Sequence, residues 1–165
     1  KLDMSRILSM NETYIKTIDE KVLFNQFKEY VSKYKKPFDS SKDAILTKCI
    51  VFLKNKAKTL EDIFNNAHYI INDEIKINNE EQKLLDNQSK LVIKNFISEF
   101  KKLSSLSKET LEPLIKLLIE KHKTNFKGVG QPLRIGLTGS RFGPGLYDII
   151  LSLDKNDVIK RLSNV

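Results

Sequence analysis

Residues 1–127 contain no glycine, and all six glycines of the chain fall between Gly128 and Gly145. Tight turns and left-handed backbone favour glycine, so the chain is expected to be a long helical body with one irregular segment near its end. The apolar positions agree with this. Ile7, Met10, Tyr14, Ile15 and Ile18 share one helical face, and Val22, Phe24, Phe27 and Val31 share a second, closed by Lys35-Lys36-Pro37. A third apolar run ends at Leu53. Thr59 can cap a helix whose first turn carries Glu61 and Asp62 and whose buried face is Ile63, Phe64, Ala67 and Ile70. Leu91, Val92, Phe96, Phe100 and Leu103 mark another helix. Thr110 offers a cap for the next, with Pro113 in its first turn and Leu114, Leu117 and Leu118 continuing the face. The tail reads as two short helices, Tyr147 to Leu153 and Val158 to Leu162, with Asp154 to Asp157 between them. No segment alternates with the period of a strand. The fold class is therefore all-α. The polar stretch Asn72 to Gln82 has few anchors beyond Ile75 and Ile77, which predicts two small helical subdomains, 1–72 and 73–165.

Twenty-nine Lys and Arg against 21 Asp and Glu give the chain a formal charge of +8. That balance attracts a polyanion, nucleic acid first among them, although a lysine-rich helical surface also serves plain solubility. Cys49 is the single cysteine and sits in an apolar helical run, so it reads as a small core residue in a reducing, cytoplasmic setting. No apolar stretch approaches the roughly 18 residues of a membrane span. Lys1 stands where an initiator methionine would, and the first methionine is Met4, which is expected of a fragment of something longer.

Catalytic chemistry finds little support. His68 and His122 each lie on a predicted helix without a second ligand at metal spacing. Gly139-Ser140-Arg141-Phe142-Gly143 lacks the Gly-Lys-Ser/Thr ending of a phosphate loop. The pairs Asp73-Glu74 and Glu80-Glu81 fall in the polar junction and read as solvated charge. What remains is Gln131 to Ser140, continued by Gly143 to Tyr147, where an arginine is set among glycines and prolines. Three of the four arginines, Arg134, Arg141 and Arg161, lie in this last part of the chain. Guanidinium groups donate in planar pairs to base edges and phosphates and stack on bases, so this is the best candidate RNA surface. The bland alternative is a set of turns between short helices, with Leu133, Ile135 and Leu137 as core.

The run from Gln131 through Arg134 to Gly139, then Gly143-Pro144-Gly145-Leu146 and Val158 to Leu162, resembles the carboxy-terminal signature of bacterial-type glutamyl-tRNA synthetases. Lys56-Ala57-Lys58-Thr59-Leu60 and Met10-Asn11 with Tyr14-Ile15 resemble further segments of that family in the same order. The resemblance implies a class I anticodon-binding helical bundle of two subdomains. It also implies a catalytic domain elsewhere in the same polypeptide that uses ATP and Mg2+ to attach glutamate to its tRNA. Neither a His-Ile-Gly-His-like nor a Lys-Met-Ser-Lys-like motif occurs here, so this chain alone is expected to catalyse nothing. The partner implied is the anticodon loop of the tRNA for glutamate. Arg134 matches the arginine that faces the anticodon bases, and Gly143, Pro144 and Leu146 match the turn packed against them. Lys56 stands where the family often has an arginine that reads the last anticodon base; a lysine keeps the charge and loses the bidentate fork. A helical protein-interaction module and a stand-alone RNA-binding protein are the alternatives.

Overall fold

The computed structural model describes residues 12–165, so the expected contributions of Ile7, Met10 and Asn11 lie outside the described residues. Among the described residues every regular element is helical. They form two compact units, one ending at Asp73 and the other running from Glu74 to Val165.

In the first unit, α1 (Glu20–Tyr34), a 3-10 turn (Ser40–Lys42), α2 (Asp43–Leu53) and α3 (Leu60–Ile71) follow in order. Asp19 caps α1 by accepting from the Lys21 and Val22 amides, with Glu20 at the positive end of the helix dipole. The buried stripe of α1 is Leu23, Phe24, Phe27 and Val31. Val22 is 46% exposed, because the stripe is centred on Leu23. Thr59 caps α3 as expected: it accepts from the Asp62 amide, and the Asp62 carboxylate accepts in return from the Thr59 amide. Leu46, Cys49, Ile50, Leu53, Ile63 and Ala67 close the core between these helices.

The second unit contains α4 (Asn79–Lys83), α5 (Asn87–Lys101), α6 (Lys108–Lys121), α7 (Phe126–Thr138), α8 (Leu146–Ser152) and α9 (Lys155–Ser163). α7 is the central element and packs against α5, α6, α8 and α9. This corrects the expectation of an irregular glycine-rich segment, because Gly128, Gly130 and Gly136 are all inside a helix. The physical reason at Gly136 is close approach. A Cβ there would lie 2.7 Å from Leu162 of α9, so glycine lets the two helices meet. Pro132 also lies inside α7 and removes the amide that would bond the Gly128 carbonyl.

The expected start of α6 shifts as well. Ser107, not Thr110, is the cap, and Thr110 is its reciprocal partner. Pro113 therefore falls in the second turn, on the exposed face, where water can satisfy the Glu109 carbonyl.

Candidate nucleic-acid interface

α7 presents two unlike faces. Val129, Leu133, Ile135 and Leu137 are fully buried, whereas Lys127, Gln131 and Arg134, at spacings of four and three, form a stripe on the other side. The Asn125 side chain accepts from the Gly128 amide and fixes the first turn. The far end is fixed more heavily. Gly139 adopts φ +82 and returns its amide to the Ile135 carbonyl at 2.8 Å. Arg161 Nη1 donates to the Leu137 carbonyl at 2.9 Å while its Nε donates to Asp157 at 3.1 Å. Arg161 is 5% exposed, so it is a buried cap for the last turn of α7 rather than part of an RNA surface, and that expectation is corrected.

The chain then makes a loop across the open side of α7. Ser140 donates its amide to the Thr138 hydroxyl, and the Phe142 amide donates to the Ser140 hydroxyl at 3.0 Å. The Arg141 amide donates to Glu81 Oε2 at 3.0 Å, and its guanidinium lies 3.6 Å from Glu81 Oε1. Glu81 belongs to the short helix α4 and is 5% exposed. The reading of Glu80-Glu81 as solvated charge thus fails for Glu81. Its spacing ahead of Leu84 and Leu85 was the available signal, since it puts the carboxylate on the inward side.

Between α7 and this loop lies a groove of about 550 Å³. Lys127, Gln131, Arg134, Arg141, Phe126 and Phe142 line it, and no carboxylate is among the lining residues. The volume is that of a small-ligand site. Arg134 is half-buried, and its hydrogen-bond partner is the Arg141 carbonyl, a weak contact at 3.5 Å. No carboxylate lies within ion-pair distance of it among the described residues. Burial pushes its pKa below the ordinary arginine value, yet a guanidinium stays charged at any working pH. The result is a partly desolvated cation, held on a rigid helix, with donors left for a ligand that carries acceptor oxygens or nitrogens.

The other expected site residues are distributed as follows. Gly143 and Pro144 continue the loop immediately beyond Phe142; Gly143 has φ +133, with open space where a Cβ would stand. Leu146 is 2% exposed and forms part of the core at the start of α8. From there its side chain packs behind the turn of Gly143 and Pro144. Lys56 lies in the first unit, exposed, in the left-handed region at φ +63, with the Ala57 amide closing the turn on the Lys54 carbonyl. Phe142, 71% exposed, was not singled out from the sequence. An apolar side chain in the middle of a glycine-rich loop was its only signal.

Residues 22–165 match the family model described as an anticodon binding domain. The chain belongs to that family. Relatives of this anticodon-binding domain include the glutamate–tRNA ligase of Pelagibacter ubique (strain HTCC1062), 55% identical over 164 residues, which cover 99% of this chain and 35% of that protein. The glutamate–tRNA ligase of Wigglesworthia glossinidia brevipalpis is 28% identical over 97% of this chain and 34% of its own length. The chain thus spans about a third of the length of the curated relatives it matches. A crystal structure of the glutamate tRNA ligase of Elizabethkingia meningosepticum superposes with a TM-score of 0.75 over 95% of this chain and 31% of that one, at 19% identity. The shared all-helical fold is therefore that of the anticodon-binding part of such enzymes.

Among the described residues no cluster of three or more His, Cys, Asp or Glu is placed to hold a metal ion, and no helix is long and apolar enough to cross a membrane.

Proposed function

We propose that this chain is the anticodon-binding region of a glutamate–tRNA ligase, with 1–72 and 73–165 as its two helical subdomains and the anticodon loop of the tRNA for glutamate as its partner. The catalytic domain, with ATP and Mg2+, belongs to another part of the same cytoplasmic polypeptide. One observation carries the reading: Arg134 is a half-buried cation on the wall of an open groove with no carboxylate in its lining, with a single weak partner among the described residues. A loop with unstacked bases supplies acceptor edges and phosphates together, which suits such a group.

In this mechanism Arg134 donates to the edge of an unstacked base, the turn at Gly143 and Pro144 bounds the loop's path, and Lys56 supplies a point charge toward the last anticodon base. Other lysines neutralise phosphates and hold the loop in register without reading it. The region binds and positions; it transfers nothing.

The test is the salt dependence of binding to a glutamate-type tRNA by the full polypeptide that carries this chain. Affinity that falls steeply and linearly on logarithmic axes as salt rises, and that exceeds affinity for an unrelated tRNA at every salt concentration, is expected. Equal affinity for both tRNAs throughout would overturn the reading.

A further inference from the structure

Phe142 is 71% exposed, and a single exposed phenylalanine by itself needs no explanation. Its surroundings set it apart. The Arg141 guanidinium lies over its ring at 5.0 Å, a cation–π contact. The amides of both residues are fixed, Arg141 on the buried Glu81 carboxylate and Phe142 on the Ser140 hydroxyl. The ring is therefore carried on a backbone that is already ordered. Phe126, 45% exposed on α7, lines the same groove and is braced by Tyr147 at 6.2 Å between ring centroids.

We propose that Phe142, backed by the Arg141 guanidinium, is a stacking platform for one unpaired RNA base in this groove. The occupant is a nucleotide beside the one Arg134 contacts, so the inference rests on the anticodon reading above. Two properties of the groove favour RNA. Its lining carries Lys127, Arg134 and Arg141 and no acid, and with Arg141 paired to Glu81 behind the wall, Lys127 and Arg134 are the charges left for a phosphate-linked chain. Its apolar lining includes two exposed rings, Phe126 and Phe142, beside Leu84, and every base has a π face to set against a ring. Phe142 and Arg134 then divide the work. The arginine discriminates through directional donors, whereas the ring adds affinity and accepts any base.

The experiment uses the full polypeptide that carries this chain and glutamate-type anticodon stem-loop RNAs, each with one loop position replaced by 2-aminopurine, whose fluorescence is quenched on stacking. The parent is expected to change the fluorescence at one loop position. Phe142→Ala should abolish that change and weaken binding about tenfold across all loop sequences, with an unaltered salt slope. Phe142→Tyr should keep both properties. Parental binding and fluorescence in Phe142→Ala, with Arg134→Ala impaired, would overturn the stacking role alone. Parental affinity in Phe142→Leu would also overturn it, by reducing the ring to an apolar contact. Parental binding in both Phe142→Ala and Arg134→Ala would overturn the anticodon reading beneath it. Since Phe142 is exposed, none of its variants threatens the fold.

Discussion

Glu81 and Arg141, 60 residues apart in sequence, are joined twice: the backbone amide of Arg141 donates to one carboxylate oxygen at 3.0 Å and its guanidinium lies 3.6 Å from the other. The pair ties the loop that forms one wall of the groove to a buried anchor on α4. Most of the contact's value lies in satisfying a desolvated carboxylate, because an unpaired buried charge is costly.

Glu81→Ala should therefore destabilise the chain by about 2 kcal/mol in urea unfolding, the scale of a lost charge-assisted hydrogen bond. Glu81→Gln should cost less, since an amide oxygen can still accept from the Arg141 amide. If Ala and Gln cost the same, the backbone contact is not the important one.

Gly139 and Gly143 both have positive φ, but for different surroundings. A Cβ at Gly139 would stand 2.6 Å from the Lys76 carbonyl oxygen, while Gly143 meets nothing within 4 Å. Gly143→Ala should cost only backbone strain, about 1–2 kcal/mol. Gly139→Ala should cost clearly more in thermal or urea unfolding, because backbone strain and a backbone clash add.

Lys56 separates stability from binding. Its left-handed backbone, φ +63, is disfavoured for a side chain by about 1 kcal/mol or more. Lys56→Gly relieves that strain while loosening the unfolded chain, so it should be neutral to about 1 kcal/mol stabilising. In tRNA binding the same variant should lose discrimination at the last anticodon position. A fall in stability together with unchanged discrimination would place the importance of Lys56 in the fold.

Asp86 caps α5 by accepting from the Ser89 amide at 2.8 Å, and that hydrogen bond holds its pKa below the ordinary carboxylate value. A group depressed on folding adds stability that is complete above its unfolded pKa and is lost as pH falls through the folded one. Amides in the first turn of α5 should accordingly exchange faster, after correction for intrinsic rates, as pH falls through that acid range. In Asp86→Ala this extra pH dependence should vanish.

Helices were legible because their faces repeat. Thr59 with Asp62 announced a capped start, and Phe96 with Phe100 announced a buried face, and both stand as read. α7 was hidden by its composition. Gly136 serves a close approach to Leu162, a tertiary need that overrides glycine's poor helix propensity, and no local pattern reports it. The family signature singled out Arg134, which lines the groove, whereas Arg161 looked equivalent and proved to be a buried cap. Whether a guanidinium faces a groove or a helix end depends on what packs over it. Glu81 illustrates the same limit from the other side, since its partner lies far along the chain.

The most direct measurement is the affinity of the full polypeptide carrying this chain for a glutamate-type anticodon stem-loop RNA, compared among the parent, Arg134→Lys and Arg134→Ala. Losing the fork but keeping the charge, the lysine variant should fall partway, and the alanine variant should fall by at least about fivefold, the low end of a bidentate base contact. Parental affinity in Arg134→Ala, with the fold intact by circular dichroism, would contradict the account.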